Sequence, residues 1–381
     1  MTSSRPSRNP AGWGKPLRLL LRLVVLGVGL GLLTGSALRW LAPQVEQQTI
    51  TPPGWLPRIS KERDTPETTE SLVPKAEKPK LTAGSFQPTE EITALSASWE
   101  TLAATQKDLQ ASAYMMILDD GRFAQMNGER PMPAASSIKT PILLAALERI
   151  DEGDLHWNEP LMLTKKLVGG GAGWMASRPL GSRFPTYEVA TEMIRVSDNS
   201  ATNLLIERVG GKEAINATFQ DLGLTATVVN NWLPDLDGTN TTSARDLTRS
   251  IAIVDTGETL SLRSRDLFRE VMATSVTNTL LPTGLMQGLG GAQGAPDDSL
   301  AQKGYAVLNK TGDIGIAYAD AGLIELPDGR RAVAGFLVKG PFNDPRSTNL
   351  IRAMAKAMAP HLKPIPAPPT RKSAPAPHPA P

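Results

Sequence analysis

Pro133-Ala134-Ala135-Ser136-Ser137-Ile138-Lys139 leads into a helical pattern that runs from Ser137 through apolar residues to Ile150. Ser136 and Lys139 stand three residues apart at its start, so both side chains share one helical face within reach of each other. Two further strings follow in order, Ser197-Asp198-Asn199 and Lys310-Thr311-Gly312. Ser-x-x-Lys or Lys-Thr-Gly alone recurs by chance in chains of this length. Taken together, the three agree in order and spacing on a serine nucleophile activated by lysine.

That chemistry sets conditions on the lysine. An ammonium with the ordinary pKa of about 10.4 is no base at neutral pH, so Lys139 needs burial or a neighbouring cation to shed its proton. Lys310 is the candidate neighbour. A helix N-terminus at Ser136 adds backbone N–H groups that favour an oxyanion. Ser197 is placed to relay a proton to a leaving group and Asn199 to hold a substrate amide, while Asp198 reads as structural, tying down its loop. Lys310 and Thr311 follow Tyr305–Leu308, which reads as a strand. A cation and a hydroxyl on an edge strand, with Gly312 permitting close approach of substrate, suit an extended peptide bearing a carboxylate.

Composition removes the competing mechanisms. The chain has no cysteine and three histidines, His156, His361 and His378. A Ser-His-Asp triad, a cysteine nucleophile and a His/Cys zinc site lack their residues, and no cofactor or metal is expected. His156 sits in the acidic turn Glu152-Gly153-Asp154-Leu155 and the other two at or in a Pro/Ala tail. Net charge is only +2, with no basic stripe interleaved with aromatics, which argues against a nucleic-acid partner.

Outward from the three strings, both ends of the region 89–360 read as hairpins. Ile92, Leu95, Trp99, Leu102 and Leu109 recur at helical spacing. Tyr114–Leu118 and Arg122–Met126 flank the turn Asp119-Asp120-Gly121, and Gly322–Leu326 and Arg331–Lys339 flank Pro327-Asp328-Gly329. A last helix covers Ser347–Met358. Between the hairpins the pattern is helical over Ser137–Ile150, Thr186–Val196, Ala201–Val209, Gly211–Leu222, Ser243–Asp255 and Ser261–Ala273. The expectation is an α+β domain, an antiparallel sheet assembled from both chain ends with an all-helical lobe inserted. Val168-Gly169-Gly170-Gly171-Ala172-Gly173-Trp174 lacks the Lys and Ser/Thr of a phosphate loop and reads as a mobile loop, with Trp174 a candidate wall of a substrate cleft.

Pro133–Lys139, Val196-Ser197-Asp198-Asn199-Ser200-Ala201-Thr202-Asn203 and Asn309-Lys310-Thr311-Gly312 resemble the three signatures of class A β-lactamases and penicillin-binding serine peptidases. The resemblance covers about 89–360 and implies that fold, with Ser136 as nucleophile, Lys139 as base, Ser197 as relay, Asn199 as amide holder and Lys310 and Thr311 as carboxylate binders. It also implies an oxyanion hole from the backbone N–H groups of Ser136 and Asp313. The matching omega-loop string is Trp232-Leu233-Pro234-Asp235-Leu236-Asp237, in which Leu233 replaces the glutamate that activates the deacylating water. Asp237–Thr241 is shorter than that family's loop, and no arginine lies between Lys310 and Arg330. Leucine cannot take a proton, so the resemblance is to the penicillin-binding-protein-A branch, peptidases that act on D-Ala-D-Ala ends of peptidoglycan. Stem peptides and β-lactams are the expected ligands and a monomeric catalytic domain the expected state. The alternatives are a class A β-lactamase, with Asp235 or Asp237 as substitute base, and a non-catalytic peptidoglycan-binding module. The intact Ser136, Lys139, Ser197 and Lys310 argue against the last.

The ends of the chain point to a membrane. Residues 1–18 are basic and without acid, and the uncharged run Leu23–Leu38, extended to 19–41 with Trp40 as interfacial anchor, is long enough to span. The positive-inside rule then places the domain on the extracytoplasmic, periplasmic side. A Pro-, Thr-, Glu- and Lys-rich linker is expected at 43–88 and a polyproline-like tail at 361–381. A cleaved signal is the alternative, on the weak small-residue site Gly35-Ser36-Ala37. If 19–41 is an anchor, washed membranes should release the intact chain only into detergent; a soluble mature form beginning near Leu38 would identify a cleaved signal instead.

Overall fold

The computed structural model describes residues 86–291 and 294–365. The expected basic N-terminus, membrane segment, most of the linker and most of the tail therefore lie outside the described residues. In chain order the elements are α1 (Thr93–Ala104), β1 (Gln110–Ile117), β2 (Phe123–Met126), β3 (Met132–Pro133), a 3-10 turn (Ala135–Ile138), α2 (Lys139–Asp151), β4 (Pro160–Met162), β5 (Arg183–Pro185), α3 (Thr186–Arg195), α4 (Asn199–Arg208) and α5 (Gly211–Asp221). They continue with β6 (Thr241–Thr242), α6 (Ala244–Asp255), α7 (Leu262–Ala273), α8 (Leu281–Gly288), α9 (Pro296–Gln302), β7 (Ala306–Asp313), β8 (Ala317–Glu325), β9 (Arg331–Lys339) and α10 (Pro345–Met358).

The main sheet has the order β2-β1-β9-β8-β7, antiparallel throughout. β1 from one end of the domain pairs with β9 from the other, Tyr114 opposite Gly335. The α+β arrangement expected from the sequence is therefore the one observed. β7, the strand that carries Lys310-Thr311-Gly312, lies at the sheet's edge.

Alternating strand residues feed two cores. On one face Ala113, Met115, Ile117, Ala334, Phe336 and Val338 pack with α1, α8 and α10. Trp99 of α1 is fully buried there, its indole N–H donating to the Met354 carbonyl at 2.9 Å and its ring edge-on to Phe336. The other face, with Tyr114, Met116, Ala319, Ala321 and Leu323, packs with the helical lobe. α2 runs through that lobe with every residue from Lys139 to Leu147 buried. A helix apolar all round belongs in a core; the one charge buried with it, Lys139, therefore needs a reason.

Element limits differ from the sequence expectation where short polar groups decide them. α10 begins at Pro345 rather than Ser347 because the Asp344 side chain caps it, accepting the Arg346 N–H. α4 begins at Asn199 rather than Ala201 because the Asp198 carboxylate accepts the Ala201 N–H. β1 starts at Gln110, since pairing with β9 carries the weak strand formers Ala111, Ser112 and Ala113. Phe86, placed in the expected linker, is buried against Tyr114, and Leu362, placed in the expected tail, is buried while its carbonyl accepts the Tyr305 hydroxyl at 3.0 Å. Both extend the folded unit.

Gly335 shows how closely the lobe meets the sheet. A Cβ there would lie 2.9 Å from the Ala244 carbonyl of α6 and 3.2 Å from Thr248 Cγ2. Gly335→Ala must push α6 off the central strands, and overpacking of this kind destabilises by about 1–3 kcal/mol. A chemical denaturation curve should show the midpoint lowered with the slope unchanged; an unmoved midpoint would mean that the lobe seats loosely.

Candidate active site

Three elements meet at Ser136: the 3-10 turn that carries it, the junction from α3 into the start of α4 that carries Ser197–Asn199, and the edge strand β7. The turn is held from both sides. The Ala134 N–H donates to the Asn240 carbonyl at 2.8 Å, and the Ser137 hydroxyl returns to the Ala134 carbonyl at 2.6 Å. β7 passes so close that a Cβ on Gly312 would stand 2.8 Å from the Ser136 nitrogen and 2.9 Å from that of Ser137. Gly312 thus admits the backbone of the Ser136 turn, where the sequence suggested that it admits substrate. Ala135 (φ 47°) and Ser197 (φ 62°) occupy the left-handed region without being glycine, a strain of about 1–3 kcal/mol each that the surrounding packing must hold.

The fully buried Lys139 Nζ lies 2.9 Å from Ser136 Oγ, 2.9 Å from Ser197 Oγ, 2.8 Å from the Ser197 carbonyl and 2.8 Å from Asn199 Oδ1. The orientation of the Asn199 amide is settled by its other end, where Nδ2 donates to the Gly170 carbonyl at 2.8 Å. Two of the four neighbours, a carbonyl and an amide oxygen, can only accept. They take two amine hydrogens. The remaining position on nitrogen, a third hydrogen or a lone pair, is left facing the two hydroxyls.

Burial drives the Lys139 pKa well below the ordinary lysine value, and the nearby Lys310 charge adds to this; Asp198 opposes them. Lys310 is fully buried as well and donates to the Thr311 carbonyl at 2.7 Å. Burial lowers its pKa to about 8, against the opposing charge of Asp320 on β8.

Asp198 organises the second element. Its carboxylate accepts the N–H groups of Trp174 and Met175 at 2.7 and 2.8 Å and of Ala201 at 2.9 Å. A Cβ at Gly173 (φ +90°) would sit 2.1 Å from Asp198 Oδ2, and one at Gly169 would sit 2.5 Å from the Leu233 carbonyl. The glycine-rich segment, expected as a mobile loop, is instead a close-packed brace, joined also through Ser200 Oγ to Gly169 and Asn199 N–H to Ala172. Trp174 donates to Glu192 at 2.7 Å and packs edge-on to Phe184, and does not line the pocket beside Ser136.

That pocket, about 240 Å³, is walled by Ala135, Ala172, Leu233, Pro234, Leu236 and Ile314, with Ser136, Asn199, Asp235, Asn240 and Asp313 contributing polar atoms. Ile314 N–H bonds inward to the Ala317 carbonyl. Strand alternation therefore turns the Asp313 N–H outward to the open edge, on the pocket side. Thr311 is half-buried, and its hydroxyl has no partner among the described residues.

Comparison with known proteins accords with this geometry. The model of the β-lactamase enzyme family matches residues 88–362. The chain belongs to the β-lactamase enzyme family. The structure of PBP-A is 40% identical, with a TM-score of 0.66 over 72% of this chain and 97% of PBP-A, and a leucine-to-glutamate variant of PBP-A, solved as an acyl-enzyme with penicillin G, matches over 98% of its length. The extended-spectrum β-lactamase PER-1 of Pseudomonas aeruginosa is 26% identical over 63% of this chain and 78% of PER-1. The β-lactamase of Streptomyces albus G is 27% identical over 43% of this chain, which spans only 56% of that enzyme. The protein is a serine hydrolase of the penicillin-binding-protein-A type.

Within this β-lactamase family member the omega-loop string is fixed around Leu233. Its N–H donates to Asn203 Oδ1 at 2.9 Å and its carbonyl accepts Asn203 Nδ2 at 2.8 Å, ahead of a cis bond to Pro234. Asp235 does not offer a free base: one oxygen accepts the Asn240 N–H at 2.6 Å and the other the Thr239 hydroxyl at 2.8 Å. Asp237 is exposed and does not line the pocket. Asn203, quoted in the second signature string without a role, and Asn240, which the sequence reading did not single out, secure this wall. Their signal was an amide within a helix's apolar face and another closing a polar turn, patterns that also occur without function.

Replacing Lys310 by Met keeps the chain length and removes the charge. In protein with ε-13C-labelled lysines, the Lys139 resonance should titrate far below the exposed lysines, and in Lys310→Met its midpoint should move up, because a like charge has gone. A Lys139 midpoint among the exposed lysines would remove the basis for its acting as a base.

Proposed function

We propose that this protein is a membrane-tethered, extracytoplasmic serine peptidase that opens D-Ala-D-Ala ends of peptidoglycan through an acyl-enzyme and is trapped by β-lactams. The observation that carries the reading is the Lys139 amine, held by two acceptor-only oxygens with both serine hydroxyls at 2.9 Å. Neutral Lys139 takes the Ser136 proton as Ser136 Oγ bonds to the D-alanyl carbonyl carbon. The developing oxyanion meets the N–H groups of Ser136 and Asp313. As the C–N bond breaks, the proton held by Lys139 passes through Ser197 to the departing amine. Lys310 faces the terminal carboxylate as a point charge, with the free Thr311 hydroxyl supplying a directed donor. Asn199, whose two amide ends are taken by Lys139 and Gly170, acts first by fixing the base.

The β-lactamase reading uses the same site and draws on the curated relatives that carry that name. It needs a base for water. Leu233 stands where the family's resemblance places that base, and the Asp235 oxygens are already engaged. PBP-A, whose leucine-to-glutamate variant was captured acylated by penicillin G, supports the reading that a site of this type forms an acyl-enzyme with a β-lactam.

The test is the acyl-enzyme lifetime with a reporter penicillin, followed by intact mass. The wild-type adduct should last minutes to hours, and Ser136→Ala should form none. Leu233→Glu should shorten the lifetime by about 10²- to 10⁴-fold, the worth of a positioned general base. Loss within seconds from the wild type would establish a β-lactamase, and labelling that survives Ser136→Ala would sink the assignment of the nucleophile.

A further inference from the structure

β4 and β5 form a two-stranded ribbon on the helical lobe, with Leu161 opposite Phe184 and Met162 opposite Arg183. Strand alternation turns Leu161 and Phe184 into the core, where both are buried, and Pro160, Met162, Arg183 and Pro185 outward. The ribbon continues past its strands. At one end the Thr186 N–H donates to the Glu159 carbonyl and the Tyr187 N–H to the Trp157 carbonyl, each at 2.9 Å; at the other the Gly181 N–H donates to the Leu163 carbonyl at 2.9 Å. The outer face is therefore bounded by Tyr187 and Leu180, 49% and 58% exposed, with Met162, 43% exposed, between them. Exposed apolar residues scattered singly are ordinary, whereas a contiguous group rimmed by charge marks a binding surface.

The rim is cationic. Arg183 stands on the face itself, Lys165 opens the 3-10 turn Lys165–Leu167 that follows β4, and Arg178 lies over the Trp174 ring at 5.0 Å. All three are exposed, and none has a carboxylate partner among the described residues. The acids nearby are engaged, Glu159 by Arg208 and Glu207 by Lys166. Glu188, in the first turn of α3, is half-buried.

We infer that this face rests on an anionic lipid surface, with Arg183, Lys165 and Arg178 on lipid phosphates and Met162, Leu180 and Tyr187 among the headgroups. Tyrosine is at home there, apolar body inward and hydroxyl in the polar layer. The long stems of lysine and arginine reach phosphate without burying their charge, and each cation near an anionic leaflet strengthens the contact. Other occupants match the face less well. A second copy across a two-fold axis would set Arg183 and Lys165 against their own like charges. A sugar chain asks for amide and carboxylate side chains, where the strands turn out two prolines, a methionine and an arginine. The tether in the proposed function keeps a bilayer within reach, and to that extent the inference rests on that reading.

The chain has no cysteine, so a single introduced thiol reports from one place. Full-length Leu180→Cys, and as a control Phe342→Cys in the turn between β9 and α10 where the native ring is exposed, would carry a nitroxide in lipid nanodiscs of phosphatidylcholine with or without phosphatidylglycerol. Access of lipid-dissolved oxygen is compared with access of a water-soluble nickel chelate. With phosphatidylglycerol the Leu180 label should meet lipid and the Phe342 label water, and Lys165→Gln with Arg183→Gln should weaken the contact by about ten- to thirtyfold. A Leu180 label as wet as the control, or a lipid contact indifferent to the double substitution, would overturn the inference. So would sedimentation with peptidoglycan sacculi that the double substitution abolishes, in the absence of lipid contact. A chain that leaves the discs would overturn the tether alone; the same labels read against free vesicles of the same lipids then decide the face by the same criterion.

Discussion

A lysine amine cut off from water, with four oxygens around it and another lysine nearby, can persist in a folded protein only in a narrow way. As an ammonium it would carry a buried charge beside a like one; as a neutral amine it must still satisfy two N–H groups and a lone pair. Lys139 meets the second set of conditions. The Ser197 carbonyl and the Asn199 amide oxygen accept its hydrogens, and its remaining position faces Ser136 and Ser197. Burial and the Lys310 charge both favour the neutral form. One arrangement of acceptors therefore favours a neutral amine and aims it at two hydroxyls.

The surroundings follow from that requirement. Each acceptor must stay where it is to within tenths of an ångström, and both lie where the connection from α3 turns into α4. Ser197 sits in left-handed backbone, and Asn199 opens a helix. Asp198 between them binds three N–H groups from two segments, and the glycines at 169 and 173 exist because no side chain fits between those segments. On the other side, Gly312 lets an edge strand touch the Ser136 turn. Reaction geometry is held in this way by backbone close-packing, and the helices supply the burial.

Much of this was legible in the chain. Hairpins at both ends of the domain, read from Asp119-Asp120-Gly121 and Pro327-Asp328-Gly329, implied a sheet closed by distant segments, and β1–β9 pairing realises it. The spacing of Ser136 and Lys139 implied their contact. Other features depend on tertiary proximity. Gly312 looks the same in sequence whether it admits a ligand or the Ser136 turn, and only the 2.8 Å approach distinguishes them. Val168–Trp174 looked loose because glycine is the residue of mobile loops and also of braces packed too tightly for a Cβ. α8 and α9 were missed because Leu281–Gly288 and Pro296–Gln302 are short, and each carries glycine or proline within it or at its start.

The charge balance behind β7 bears on how the site treats an acyl group once it has formed. Lys310 owes part of its charge to Asp320, itself buried and raised to about 7 by that burial, against the hydrogen bonds from Asn309 and the Leu281 N–H that favour its carboxylate. On the proposed reading that cation serves the carboxylate end of a peptide, and Lys139 with Ser197 serves the departing amine. On the proposed reading, an amine that enters where the first one left meets the same relay running in reverse, so aminolysis of the acyl-enzyme asks for no new group. Water entering beside Leu233 meets apolar walls and an Asp235 whose oxygens are already bonded. The balance between the two fates then turns on whether the pocket can orient a water molecule, which is a property of the residue at position 233 more than of the machinery that attacks.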